Sequence, residues 1–152
     1  MNIFVFGSNL AGRHGRGSAL EARRFHGALQ GIGEGPMGSA YAIPTKDEQL
    51  TRLPLFRIRE AVQRFRLYAS DQRHDWFRVV AIGCGLAGYT PEDIAPMFAG
   101  CPENVELPYE FVTVLSRMAA SIVVHDSTKE IYKNPNCTIR HPGSSCNIEC
   151  GF

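Results

Sequence analysis

Two stretches of the chain hold residue types that could do chemistry. The first, FVFGSNLAGRHGRGSALEARRF from Phe4 to Phe25, opens as a short apolar run. It then enters a loop with glycines at 7, 12, 15 and 17 and with Arg13, His14 and Arg16 between them. Glycines let a main chain approach a phosphate closely, and successive N–H groups around Gly15, Gly17 and Ser18 can form an anion-binding concavity where a helix begins. Arg13, His14 and Arg16 would add charge beside it. The plain alternative is a tight strand-to-helix crossover, although the loop exceeds the usual few-residue connection. Familiar phosphate loops do not fit. A Walker loop needs Lys and Ser/Thr where Arg13 and His14 stand, and Gly15-Arg16-Gly17 is followed by Leu20 where a dinucleotide fingerprint needs a third glycine.

The second stretch is IGCGLAGYTPEDI, Ile82 to Ile94. Gly83, Gly85 and Gly88 lie between an apolar run and a helix start, again a nest of amides. Tyr89 could offer a ring to a base or ribose. Cys84 reads as a small buried thiol rather than a nucleophile, since no histidine is placed beside it by the sequence. In the tail, Cys137, His141, Cys146 and Cys150 are zinc-type ligands, but their gaps fit no known finger, and they read as adventitious thiols with no metal site expected. His26 and His74 read as solvent-facing. Arg57, Arg59, Arg64 and Arg66 read as a solvated helix face, a poor single-strand platform without interleaved aromatics.

The elements that would position these loops alternate. Ile3–Phe6 reads as a strand buried on both faces. Ser18–Phe25 reads as a helix packed through Ala19, Leu20, Ala22 and Phe25. Gly27 to Gly38 reads as a second flexible loop, and Tyr41–Ile43 as a short strand. Leu55–Ser70 is the clearest helix, with Ile58, Val62, Phe65 and Ala69 on one stripe. Trp76–Ile82 reads as another buried strand. Thr90, Pro91 and Asp93 make a loose capping box for a helix that Pro96 disturbs near Met97 or Phe98. Val105–Leu107 is a last strand. This order predicts an α/β fold with a central mixed, mainly parallel sheet, whose ligand loops follow the carboxyl ends of strands.

The chain has 152 residues, 44% of them hydrophobic and 20% charged, which suits one compact soluble domain. Its net charge of +1 gives no global argument for nucleic acid or membrane. Residues 1–78 carry twelve Lys/Arg against seven Asp/Glu, and residues 79–152 carry four against eight, so the halves differ as +5 and −4. A basic first half fits an anionic ligand or a merely solvated surface. MNIFVFG lacks a basic leader, and no apolar run approaches the roughly 20 residues of a membrane span, so no membrane partner is expected. Five cysteines without an export signal are expected as reduced thiols in the cytoplasm.

The ordered set Gly15-x-Gly17-x-Ala19, Arg23-Arg24-Phe25-x-Gly27, Ile43-x-Thr45-Lys46 and Ile82-Gly83-Cys84-Gly85-Leu86 resembles the macro domain over about residues 3–108. It is most similar to the branch that removes ADP-ribose from acidic side chains, and to macro-like proteins of bacteria and phages. The resemblance implies a three-layer α/β/α macro-like domain over 1–108, followed by a partly irregular extension over 109–152. It implies ADP-ribose, free or on a macromolecule, as the partner, with no cofactor. Ser8 and Asn9 would fall near a ribose. Gly15, Gly17 and Ser18 would wrap the distal ribose and phosphates. Gly83, Cys84, Gly85, Leu86, Ala87, Gly88 and Tyr89 would form the second diphosphate loop.

Lys46 matches the lysine that in that branch attacks the distal ribose C1″. The aspartate that resolves the adduct falls at Ala87, so the pattern is incomplete for an ADP-ribosyl hydrolase. Asp47, Glu92 and Asp93 are the nearby carboxylates, each read as a surface or helix-start group. The alternatives are a non-catalytic reader or sponge of an ADP-ribose-type signal, and a nucleic-acid module using the basic half.

Overall fold

The computed structural model describes residues 1–120, and the tail set Cys137, His141, Cys146 and Cys150 lies outside them. The order is β1 (Asn2–Asn9), α1 (Gly17–Phe25), β2 (Gly35–Met37), β3 (Ala40–Lys46), α2 (Leu55–Asp71), β4 (Trp76–Val79), α3 (Pro91–Ile94), a 3-10 turn (Ala95–Phe98) and β5 (Val105–Glu106). A further helix, α4, covers residues 109–120. The fold is α/β with a five-stranded mixed sheet in the order β2-β3-β1-β4-β5. Only the β2–β3 pair is antiparallel. The chain leaves β1 for β3 on one side and later returns to β4 on the other. The carboxyl end of β1 is therefore a topological switch point, where the loops after neighbouring strands leave a crevice.

Alternating residues of β1 explain why helices cover both faces. Ile3 and Val5 join Tyr41, Ile43, Phe77 and Val79 under the α2 stripe of Ile58, Val62, Phe65 and Ala69, all four of which are fully buried. Phe4 and Phe6 point the other way, into a smaller cluster with Ala19, Ala22, Ala40 and Ala42. The register sets Phe4 beside Ala40 and Phe6 beside Ala42, so small side chains on β3 leave room for α1 to approach. Burial at ~25 cal/mol per Å² of apolar surface makes these two clusters the main stabilising term of the unit.

Several expectations change. β1 runs on to Asn9, so Ser8 and Asn9 belong to a strand end rather than a loop. The glycine-rich segment 27–38 contains β2, which extends the sheet beside β3. Phe25 is 73% exposed, and its expected place on the packed side is taken by His26, whose ring stacks on Phe4 at 4.4 Å. β4 ends at Val79, with Trp76 and Arg78 exposed, because α1 covers only the β1–β3 part of that face. Of the arginines expected on a solvated face, Arg64 pairs with Glu34 at 2.6 Å, and Arg66 donates to the carbonyls of Met97 and Gly100 at 3.2 and 3.1 Å.

Side chains close the start of α3 and the end of α2. Thr90 Oγ1 accepts from Asp93 N–H at 3.3 Å while Thr90 N–H donates to the Asp93 carboxylate at 3.1 Å, a complete capping box with Pro91 inside it. Asn104 Nδ2 lies 3.0–3.1 Å from the carbonyls of Ala69, Gln72 and Asp75, tying down the end of α2. The compact unit runs past residue 108, to Leu115, because Phe111 and Val114 of α4 are buried in the larger cluster, with the Phe111 ring 5.5 Å from Phe98.

Candidate functional site

The ends of β1 and β3 and the segments that follow β1, β3 and β4 enclose a cleft of about 880 Å³. β1 contributes Gly7, Ser8 and Asn9, β3 contributes Thr45 and Lys46, and the segment after β4 contributes Val80 to Gly83. The loop into α1 supplies Arg13, Gly15, Arg16, Gly17 and Ser18, and the second glycine loop supplies Gly85, Leu86 and Ala87. The volume lies within the roughly 300–1,000 Å³ usual for small-molecule sites.

Register delivers Lys46 to the site. A shift between Ser8 and Asn9 sets Asn9 opposite Lys46, and Leu10 N–H donates to the Lys46 carbonyl at 2.9 Å. Thr45 and Ser8 are buried and spend their hydroxyls inside the protein. Thr45 Oγ1 donates to the Ser8 carbonyl at 3.2 Å, and the Ser8 hydroxyl donates to the Gly33 carbonyl. Asn9 is engaged at both ends of its carboxamide: Oδ1 accepts from Arg13 N–H and Nδ2 donates to Arg13 C=O, each at 2.9 Å. It shapes the loop that carries Arg13.

Glycine has a specific task at position 12. Its φ is 69°, and a Cβ there would collide with the main chain of Gly31 and Ile32. Gly31 N–H donates to the Gly12 carbonyl at 2.9 Å, so the first loop folds back on the segment before β2. His14 goes inward with that fold. It is fully buried, with Nε2 at 3.0 Å from the Ile32 carbonyl and its ring edge-on to Phe6 at 5.4 Å. Its Nδ1 has no hydrogen-bond partner among the described residues. His14 therefore contributes to the core rather than to the charge of the cleft.

The amides are where the cleft is most distinctive. α1 begins at Gly17 without a side-chain cap. The N–H groups of Gly15, Arg16, Gly17, Ser18 and Ala19 donate to no partner among the described residues. The same holds for Gly83, Gly85, Leu86 and Ala87 across the cleft, while Cys84, Gly88 and Tyr89 N–H close the second loop onto the carbonyls of Ala81, Gly85 and Gly83 at 3.2, 3.0 and 2.9 Å. Unpaired main-chain donors at a helix start and in a glycine nest favour negative charge. Arg13, Arg16 and Lys46 are the charged side chains on the lining, and no carboxylate or imidazole is among the described lining residues.

Ten sequence-derived candidates, Ser8, Asn9, Gly15, Gly17, Ser18, Lys46, Gly83, Gly85, Leu86 and Ala87, line this one cleft. Cys84, Gly88 and Tyr89 do not. Burial pushes the Cys84 thiol up to about 11, with Glu110, Asp93 and Glu92 adding to the rise. Tyr89 faces away, its hydroxyl donating to the Leu53 carbonyl at 2.6 Å and its ring lying 4.2 Å under the Arg52 guanidinium. Of the nearby carboxylates, Asp47 accepts from the N–H groups of Gln49 and Thr51 at 2.9 and 2.8 Å, and Asp93 serves the Thr90 cap. Neither they nor Glu92 line the cleft.

Sequence reasoning missed Leu50 and Arg52. Leu50 lines the cleft with φ 68°, which no residue pattern in KDEQLTR announces. Arg52 Nη1 reaches the carbonyls of Ala87 and Gly88 at 3.5 and 3.3 Å, a contact between segments far apart in the chain. Among the described residues no cluster of His, Cys, Asp or Glu could hold a metal, and no helix is long and apolar enough to cross a membrane. No family model, no curated protein and no solved structure matches this chain.

Proposed function

We propose that the cleft binds ADP-ribose or a closely related nucleoside diphosphate derivative, and that the chain is a macro-like reader of such a signal. The observation that carries this reading is the pair of amide sets without partners among the described residues, residues 15–19 on one side and Gly83, Gly85, Leu86 and Ala87 on the other, lining one cleft that also holds Arg13, Arg16 and Lys46. A diphosphate has enough acceptor oxygens to take donors from both sides at once, whereas one isolated helix end would serve a single phosphate. The macro-domain resemblance names the same two loops from sequence and adds the ribose.

Between hydrolase and reader, the lining favours the reader. Lys46 could bind a phosphate as a cation or attack C1″ as an amine, but general acid–base or nucleophilic hydrolysis also needs a group to move protons or resolve the adduct. Ala87 occupies the position where the resembling branch has that carboxylate, and no described carboxylate lines the cleft.

Isothermal titration with ADP-ribose tests the binding. Saturable heat with one site per chain is expected, and no heat at millimolar ligand would overturn the reading. Borohydride treatment in the presence of an ADP-ribosylated acidic peptide tests the distinction: a trapped adduct on Lys46 would replace the reader with an enzyme. A nucleic-acid module would instead bind bare oligonucleotide with a steep salt dependence and ignore ADP-ribose.

A further inference from the structure

Arg52 is exposed and does not line the cleft, yet its guanidinium is spent on the glycine loop that does. Nη1 donates to the carbonyls of Ala87 and Gly88 at 3.5 and 3.3 Å, and the group lies 4.2 Å over the Tyr89 ring. The main chain holds the arginine where it can do this. Lys46 and Arg52 are antiparallel bridge partners, and Leu53 N–H donates to the Thr45 carbonyl at 2.9 Å. The Tyr89 hydroxyl donates to the Leu53 carbonyl at 2.6 Å. The strand end carrying Lys46 and the loop ending at Tyr89 are thus tied through one residue pair, Arg52 and Leu53.

The two carbonyls matter because of the peptide units they belong to. The Ala87–Gly88 unit has its N–H on the Gly85 carbonyl at 3.0 Å, and the Gly88–Tyr89 unit has its N–H on the Gly83 carbonyl at 2.9 Å. Arg52 takes the opposite end of each unit. Gly88, with φ 84°, borders both, and glycine lets a peptide unit beside it turn over at little steric cost. Turning either unit over would exchange the directions of its C=O and N–H and break a bond that closes the loop. The N–H groups of Gly85, Leu86 and Ala87, without partners among the described residues, depend on that closed form. Amides attract an anion and carbonyls repel it, so the orientation of this loop decides whether a phosphate is welcome.

We propose that Arg52 is a positioning residue for ligand binding: by holding the Ala87 and Gly88 carbonyls it locks the second glycine loop in its amide-donating form. This role rests on the reading of the cleft as a diphosphate site, and it adds a residue off the lining. A charge-assisted bond to each carbonyl is stronger than a neutral one. Gly88 is exposed, so water can replace the guanidinium when the arginine is removed. The fold then survives while the orientation is no longer enforced.

The test titrates ADP-ribose and inorganic pyrophosphate into the whole chain and its Arg52→Met and Arg52→Gln variants, with thermal melts and amide proton–nitrogen NMR spectra of each. Thermal midpoints are expected to change little, as for other exposed positions. Both ligands are expected to bind roughly tenfold more weakly to both variants, because the diphosphate is their common part. The loss is expected to persist in 1 M salt, where the Debye length is about 3 Å. At a pyrophosphate concentration that saturates the native chain, the amide signals of Gly85, Leu86 and Ala87 are expected to stop responding in the variants, while those of Gly17 and Ser18 still shift. Unchanged affinity in both variants would overturn the positioning role and leave the diphosphate site standing. A loss that disappears at 1 M salt would also overturn it, by making Arg52 one more attracting charge. Equal loss of response in both loops with a lowered midpoint would overturn it in favour of a general structural role. Failure of the native chain to bind either ligand would remove the role together with the site.

Discussion

The carboxamide of Asn9 holds both main-chain polar groups of Arg13, accepting its N–H and donating to its carbonyl at 2.9 Å each. One buried side chain at the end of β1 thus shapes the first turn of the loop that carries two of the three cleft cations. Asn9→Ala leaves a donor and an acceptor of Arg13 unpaired and is expected to lower stability by about 1–3 kcal/mol. Asn9→Asp is nearly isosteric and keeps the acceptor, but sets a carboxylate oxygen against the Arg13 carbonyl. Urea denaturation with ADP-ribose titration checks both variants. The aspartate variant is expected to lose stability and affinity as alanine does, and native behaviour from it would show that the Nδ2 bond contributes nothing.

Two glycines separate the demands of folding from those of binding. At Gly12, positive φ and the adjacent main chain of Gly31 and Ile32 forbid a side chain, so Gly12→Ala is expected to cost more than about 2 kcal/mol. At Gly85 a Cβ meets nothing within 4 Å and φ is not positive. Gly85→Ala is expected to leave stability unchanged or raise it by about 0.4–1 kcal/mol. It also puts a methyl group on the cleft lining, and ADP-ribose affinity is expected to fall. Thermal melts and titrations on the two variants should therefore change in opposite patterns.

What the sequence disclosed follows from how local each signal is. The α2 stripe and the Thr90–Asp93 box are written within a few residues, and both form as read. β2 was hidden because Gly-Pro-Met has no strand pattern of its own and becomes a strand only by pairing with Tyr41 and its neighbours. The glycine loops announced themselves by composition, but the direction of His14 did not, since it depends on the Gly12 fold-back that brings Ile32 beside it. Leu50 was silent for a similar reason: its backbone is set by Asp47 and Thr51 together rather than by its own propensity.

Alkaline pH should weaken the fold through Tyr41. Burial, with Glu34 adding to it, pushes the Tyr41 hydroxyl up to about 12 from its ordinary 10.0. The folded chain therefore keeps this proton where the unfolded chain has released it. The contribution is fully present below pH 10 and is lost as pH climbs toward 12, by on the order of 2 kcal/mol. The Cys84 thiol, raised to about 11, acts in the same direction from pH 9 upward. Denaturant midpoints measured across this range are expected to fall, and Tyr41→Phe is expected to flatten the upper part of the decline.

Charge and amides in the cleft should respond differently to salt. Arg13 and Arg16 are exposed and Lys46 is half-buried, so their attraction for a diphosphate is screened as the Debye length contracts from about 10 Å at 0.1 M to about 3 Å at 1 M. The amides of residues 15–19 and of Gly83, Gly85, Leu86 and Ala87 act by contact and keep most of their strength. ADP-ribose affinity is accordingly expected to fall with salt and then level off at a residual value, unlike the continuous log–log decline of a nucleic-acid binder. Lys46→Met removes one cation while keeping the length of the side chain, and is expected to cost about 1.5–3 kcal/mol at low salt. Lys46→Arg is expected to recover much of that, because phosphate binding needs the charge rather than the amine. Titrations of the three chains at low and high salt measure both effects. A Lys46→Arg variant as weak as Lys46→Met would point to a role for the amine itself and return attention to covalent chemistry at C1″.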